Sequence, residues 1–281
     1  MLKPKEFLYF YRIANWKTKI SSLRPLGYLF FGYLIASHFE PIPLFFNSIA
    51  VIGVLVSSYS LNDYFDWKTQ KEDNFLSGSI KAKKLSDKQA LFFSLLPLLF
   101  TAGLVFVKSQ LSLILFVFGL FLAFAYSSPP LVLKQRGFFG LITAPLASVI
   151  LFLQGFLILG QLNQNVVLLV IILLSFQFQS DLLHILDDSL TKEVVKKLNQ
   201  QKALLWLKHL PLVSLFISLI FSLINPIFII SIVFSLIRYL ALRDFKLIDV
   251  KKTRRNLFSA ELSLYEFGIY GLLAILGLFG S

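Results

Sequence analysis

At 281 residues the chain is long enough for one or two soluble domains, yet 57% of it is hydrophobic, 31 residues are Phe and the mean hydropathy is +0.76. That much apolar surface cannot be hidden in a soluble globule of this size, so a soluble fold is excluded and the chain reads as membrane-embedded. It contains no cysteine, which excludes disulfides, thiolate nucleophiles and cysteine-ligated metal centres, and it carries a formal charge of +12.

The first 19 residues lack an apolar core of roughly 7–15 residues with a small-residue cleavage site, so they do not read as a secretory signal. With Phe7, Phe10, Tyr11 and Trp16 they are expected to form a short helix in the headgroup layer. Nine apolar stretches follow, near 21–38, 44–61, 90–107, 110–126, 138–160, 164–182, 203–222, 225–241 and 262–280. Each is about the length that a bilayer core asks of a helix, roughly 17–25 residues. Very short connections around Lys108 and Asn225 predict antiparallel hairpins there. Pro97, Pro145 and Pro211 fall within or at the ends of spans, where kinks are tolerated if neighbouring helices satisfy the freed carbonyls.

Charge tests this count. With nine spans, the N-terminus and the loops at 62–89, 127–137, 183–202 and 242–261 share one side, and every Lys and Arg outside the spans except Lys108 lies on it. The positive-inside rule makes that side cytoplasmic and places the chain in the cell membrane. The net positive charge is then explained by topology and anionic headgroups, with no nucleic acid required. The fold expected is all-α, nine transmembrane helices bundled around a central cavity with the N-terminus cytoplasmic, forming a single domain over 1–281.

The acids sit where chemistry can use them. Outside the spans all except Glu40 are on the cytoplasmic side, and two groups lie at helix ends: Asn62, Asp63, Asp66 and Asp73 closing the second span, and Asp181, His184, Asp187 and Asp188 closing the sixth. At about 100° per residue, Asn62, Asp66 and Asp73 share a face about 40° wide if the helix persists, and Asp181, His184 and Asp188 share one about 60° wide. Ionisable groups at membrane depth usually face a bundle interior or a wet cavity. Stacked carboxylates repel unless a cation lies between them, and hard oxygen donors without cysteine suit Mg²⁺, which joins carboxylates to substrate phosphates. The plainer reading is that these acids cap helices and mark the membrane surface. After the fourth span, Tyr126-Ser127-Ser128-Pro129-Pro130-Leu131-Val132-Leu133-Lys134-Gln135-Arg136-Gly137 makes a stiff corner. From it Lys134 and Arg136 either present cations to a phosphate or act only as topology signals.

Together these three segments resemble the UbiA superfamily of intramembrane prenyltransferases. Asn62, Asp63 and Asp66 match the family's first acidic motif, Asp181 and Asp188 its second, and Tyr126-Ser127, Pro129-Pro130, Leu133-Lys134 and Arg136-Gly137 its loop after the fourth helix; Arg24-Pro25 fits the opening of the first span. Gln70 departs from the last Asp of the first motif, His184 from a further carboxylate in the second, and no Gly follows Asp188. Asp73 stands one turn on as a substitute for the missing Asp.

The resemblance implies transfer of a prenyl group from a prenyl diphosphate to a small-molecule acceptor, with Mg²⁺ as cofactor and the active site facing the cytoplasm. Asn62, Asp63, Asp66, Asp181 and Asp188 are the implied metal residues, with Asp66 and Asp181 the two on which catalysis most depends. Lys134 and Arg136 would neutralise the leaving diphosphate, and Tyr126 would face the allylic cation or simply belong to the interfacial belt. His184 would orient the acceptor, serve as a base, or be structural. An aromatic quinone precursor is the expected acceptor. The alternatives are a lipid glycerol phosphate, a phosphoribosyl group or a carotenoid, or a non-catalytic carrier or partner reusing the fold. Membrane lipids are implied neighbours; no obligate protein partner is evident.

Overall fold

The computed structural model describes residues 2–13, 23, 25–36, 40–105, 109–191, 200–244, 246 and 261–278, with the side chains of 70, 184, 185, 187–191, 200 and 261–264 outside the description. Trp16, Arg24 and Lys108, and the side chains of Gln70, His184, Asp187 and Asp188, therefore lie outside the described residues.

Among the described residues the fold is helical, with no strand. A short α1 (Pro4–Phe10) precedes α2 (Leu26–Ile35), α3 (Pro41–Gln70), a short α4 (Phe75–Lys81), α5 (Asp87–Thr101), α6 (Gln110–Ser127), α7 (Phe138–Phe156), α8 (Gln164–Thr191), α9 (Gln200–Ile224), α10 (Ile229–Leu242) and α11 (Glu261–Ile275). Each of the nine apolar stretches holds one helix. Five are long and apolar enough to cross a membrane, namely the apolar lengths of α3, α6, α7, α8 and α9; α2, α10 and α11 are shorter apolar helices. Large apolar side chains such as Phe100, Phe216 and Leu223 stand on the outside, a surface that lipid rather than water would cover. The chain is a polytopic helical membrane protein.

Helices in lipid gain little from apolar burial against one another, so close backbone packing and polar bonds hold them together. The backbones of α2 and α7 approach closely. A Cβ on Gly32 would lie 1.9 Å from the Phe152 carbonyl oxygen, and one on Gly155 would lie 1.9 Å from that of Leu29. Each glycine thus admits the other helix's backbone. On one side of this crossing α3 packs on α5 and α6, and α6 on α7; on the other, α7, α8, α9, α10 and α11 follow in turn and α11 returns to α2. Tyr28, Phe152, Phe156, Phe176, Phe228, Phe267 and Tyr270 fill the second group's core.

Two expectations are corrected. Among the described residues α5 and α6 do not form the hairpin expected around Lys108: both pack against α3 instead, as does the 3-10 turn Ala102–Leu104 that follows α5. Nor does Asp73 share the face of Asn62 and Asp66. The α3 helix ends at Gln70, Lys71 turns left-handed (φ 56°), and the exposed Asp73 pairs with Lys81. The other hairpin, α9 with α10, forms as expected.

Pro97 shows how a kink is accommodated. Proline has no N–H to give the carbonyl four residues back. That carbonyl, Phe93 O, accepts instead from the Tyr11 hydroxyl at 2.9 Å, and the next amide, Leu98 N, donates to Ser57 Oγ on α3 at 3.1 Å.

The glycine crossing makes a direct prediction. Gly32→Ala and Gly155→Ala should each lower stability by about 1–3 kcal/mol, since the added methyl meets backbone that must move. Thermal unfolding in detergent measures this; Gly78→Ala, with open space around it, should leave the midpoint unchanged or slightly raised.

Candidate active site

The α3 helix has 30 residues, about 45 Å at 1.5 Å per residue, against a bilayer core of about 30 Å. Its last turns therefore extend past the apolar layer, and they carry Asn62, Asp63 and Asp66. The 28-residue α8 does the same with Asp181 and the helix positions of His184 and Asp188. Excess helix length is what delivers both acidic motifs to a membrane surface.

Around α3 the acids are organised into two groups with different partners. In the first, Asn62 Nδ2 donates to Asp66 Oδ2 at 2.9 Å, while Asn62 Oδ1 accepts from the Ser127 hydroxyl and from Lys134 Nζ at 3.0 Å. Lys134 also forms an ion pair with Asp66, both side chains being largely buried. The loop places Lys134 there. The cis Pro129–Pro130 bond and the left-handed Val132 (φ 43°) turn the chain after α6, and a short 3-10 turn, Leu133–Gln135, follows. Its carbonyls lie against the first turn of α7, where a Cβ on Gly140 would come within 2.9 Å of Leu133 O and Lys134 O.

In the second group, Asp63 is bound by Arg12, with Nε donating to Oδ2 at 3.0 Å and Nη2 to Oδ1. The guanidinium also lies 5.9 Å from the ring centroid of Tyr59, one turn earlier on α3. Burial by itself would lower the Arg12 pKa, but the Asp63 charge and hydrogen bonds outweigh it and hold the group above its ordinary value. It stays a cation.

Asp181 is partly buried on α8 and, among the described residues, has no ion-pair partner. Its end of α8 packs beside the start of α7, through Leu182, Leu183 and Leu186 against Leu141. The second motif thus stands at the same end of the bundle as the Lys134 loop. Among the described residues, no three acidic or histidine side chains converge on one point. Tyr126 is half-buried in the last turn of α6. Arg136 is exposed, its Nη2 donating to Pro130 O at 2.8 Å, and it stays outside the Lys134–Asp66 cluster.

Sequence reasoning missed Arg12 and a second polar group. Arg238 is fully buried, 3.3 Å from Glu266 Oε2 and with its guanidinium 3.5 Å from the Phe176 ring centroid, while Glu266 Oε1 accepts from Ser231. It joins α10, α11 and α8 below Asp181. Arg238 and Glu266 stand alone in apolar runs, which was the available signal.

The oxygen donors in the first group already hold a cation, the Lys134 ammonium, so the chemistry of Asn62 and Asp66 fits a hard divalent ion bridging to phosphate. Fold and site together define a helical membrane protein with acidic helix ends gathered beside a basic loop. The chain belongs to the UbiA prenyltransferase family, whose family model matches residues 26–264. Its fold is similar to that of a UbiA homologue from Archaeoglobus fulgidus bound to DMAPP and Mg²⁺, at 17% identity, covering 98% of this chain and 99% of that one, with a TM-score of 0.73. The same homologue bound to GPP and Mg²⁺ gives 16% identity, the same coverage and a TM-score of 0.72. A structure reported for digeranylgeranylglyceryl phosphate synthase in membranes gives 20% identity, 98% coverage of each chain and a TM-score of 0.66. At these identities the likeness shows the fold alone. No curated protein matches the chain.

The ion pair in the first group is testable without substrate. In a double-mutant cycle, Lys134→Met and Asp66→Asn should couple by about 0.5–3 kcal/mol, because either single change strands the partner in a largely buried site. Unfolding in detergent measures it; additive losses would mean that the two groups do not interact.

Proposed function

We propose that this protein is a Mg²⁺-dependent prenyltransferase that moves a prenyl group from a prenyl diphosphate to an acceptor. The observation that carries the reading is the Asn62–Asp66–Lys134 cluster, in which two family motifs meet at one membrane surface. Family membership and the ligands of the Archaeoglobus fulgidus homologue support it.

In this reading the chain forms one domain of nine spans around a central cavity, with its N-terminus and site facing the cytoplasm. The one-sided charge distribution supports that orientation. Asn62 and Asp66 from α3, with Asp181 and Asp188 from α8, supply the oxygens that hold the metal. Bound Mg²⁺ supplies charge neutralisation of the diphosphate and Lewis-acid help for its departure. Asn62 is held ready to bind: Ser127 occupies its carbonyl and Asp66 its amide, so its orientation is set in advance.

Lys134 holds the acids together before the ligand binds. With a divalent ion held by those oxygens, the Lys134 ammonium would be available to the diphosphate, where negative charge grows as the C–O bond breaks. Tyr126 offers an aromatic face to the allylic cation so formed, which must be kept from water until the acceptor attacks. Arg136 is exposed enough to meet a phosphate arriving from the cytoplasm. His184 orients the acceptor.

The acceptor assigned by the family resemblance is an aromatic quinone precursor. A lipid glycerol phosphate is the second reading, favoured by the similarity to digeranylgeranylglyceryl phosphate synthase.

Purified protein in nanodiscs should release diphosphate from geranylgeranyl or longer prenyl diphosphates only with Mg²⁺ and an acceptor. Asp66→Asn and Asp181→Asn should each abolish turnover, by about 100-fold or more, in folded protein. Glu40→Gln, exposed at the start of α3, should keep wild-type turnover. Equal loss in all three variants would refute the metal assignment, and supplying hydroxylated aromatics or glycerol phosphates separately distinguishes the two acceptors.

A further inference from the structure

The motif position Asp63 does not face the ligand side of α3. It points about 100° from Asn62 on the helix and is bound by Arg12, so its two carboxylate oxygens are engaged by a fork of guanidinium donors. Its own backbone carbonyl accepts from Asn74 Nδ2 at 2.9 Å, which also ties the start of α4 to this turn.

The Arg12 end of the contact is built with equal care. Arg12 adopts a left-handed backbone (φ 52°), a conformation uncommon for a side chain of its size, and the turn carries its side chain back to α3. Just before it, Tyr11 makes the hydrogen bond to Phe93 O that Pro97 leaves open on α5. Phe10 is fully buried with Tyr64, Leu76, Leu85 and Ala90. At the helix start, Lys84 holds the Glu6 carboxyl below its ordinary pKa through an ion pair. So α1 is docked by its side chains onto α3, α4 and α5.

We propose that Asp63 is the anchor of the N-terminal helix rather than a metal ligand, and that Arg12 acts through it as a positioning residue of the diphosphate site. This rests on the reading that the Asn62–Asp66 face holds the diphosphate. Two consecutive positions then divide the work: Asn62 turns to the ligand and Asp63 turns to the helix that fixes the rotation of this last stretch of α3. Engaged by Arg12, the Asp63 carboxylate is also kept from competing for the metal that Asn62 and Asp66 bind.

Two readouts test this, one of them independent of catalysis. Amide hydrogen exchange over residues 4–12 should rise about tenfold or more in Arg12→Gln and in Asp63→Asn, with the double variant no faster than either. Arg12→Lys, which keeps the charge but not the fork, should fall between. Mg²⁺-dependent binding of a prenyl diphosphate should weaken by a similar factor in Arg12→Gln and Asp63→Asn, again without addition in the double variant. The inference is overturned if Arg12→Gln leaves exchange over 4–12 unchanged, or if Asp63→Asn loses Mg²⁺-dependent binding while α1 stays protected. Wild-type protein that binds no prenyl diphosphate would defeat the prenyltransferase reading, whereas the exchange data would still decide the anchor.

Discussion

The contact on which this structure depends is the crossing of α2 and α7 at Gly32 and Gly155. Each glycine receives the other helix's carbonyl, and no side chain larger than hydrogen fits between. In water such a contact would be one among many. In lipid, where the surroundings are as apolar as the core, backbone proximity is a main source of cohesion. This crossing joins the helices that carry the first acidic motif to those that carry the second, since α7 contacts α6 on one side and α8 on the other.

Site formation follows from a mismatch of lengths. Both α3 and α8 exceed what a bilayer core requires, so their polar ends emerge without leaving the helix. A helix terminus would have frayed there; a continuing helix keeps the side chains at fixed angles. The loop after α6 then brings Lys134 to the oxygens of Asn62 and Asp66, so the Asp66 charge is balanced before any ligand arrives. Arg12 balances Asp63 in the same way from the other side. Buried carboxylates at a membrane surface are costly when unpaired, which explains why Asp63 and Asp66 each have a basic partner from a different segment.

Deeper in the second group, Arg238 and Glu266 illustrate the same rule under harsher conditions. Both are fully buried, and each is satisfied by more than one neighbour, including Ser231 and the face of Phe176. Their pairing links α10 to α11, whose mutual contact is otherwise slight. The polar bonds thus hold α10 to α11 where their packing is slight.

Much of this was legible in the residues themselves. Apolar run lengths located the helices, five of them, among the described residues, long and apolar enough to cross a membrane, because the bilayer sets the length a span needs, and the acidic and basic motifs lay in short contiguous segments whose helical spacing could be counted. Other features depended on segments distant in sequence. Nothing near Arg12 indicates Asp63, 51 positions later, or links Tyr11 to the carbonyl that Pro97 frees. Nor does local sequence reveal that α3 stops at Gln70 and leaves Asp73 outside, or that α5 and α6 share α3 rather than each other. Span, side-chain spacing and charge asymmetry are set by each segment and its solvent, so the sequence by itself determined them. Which face of α3 meets the Lys134 loop and which meets α1 depends on contacts between segments, so only the tertiary structure decided it.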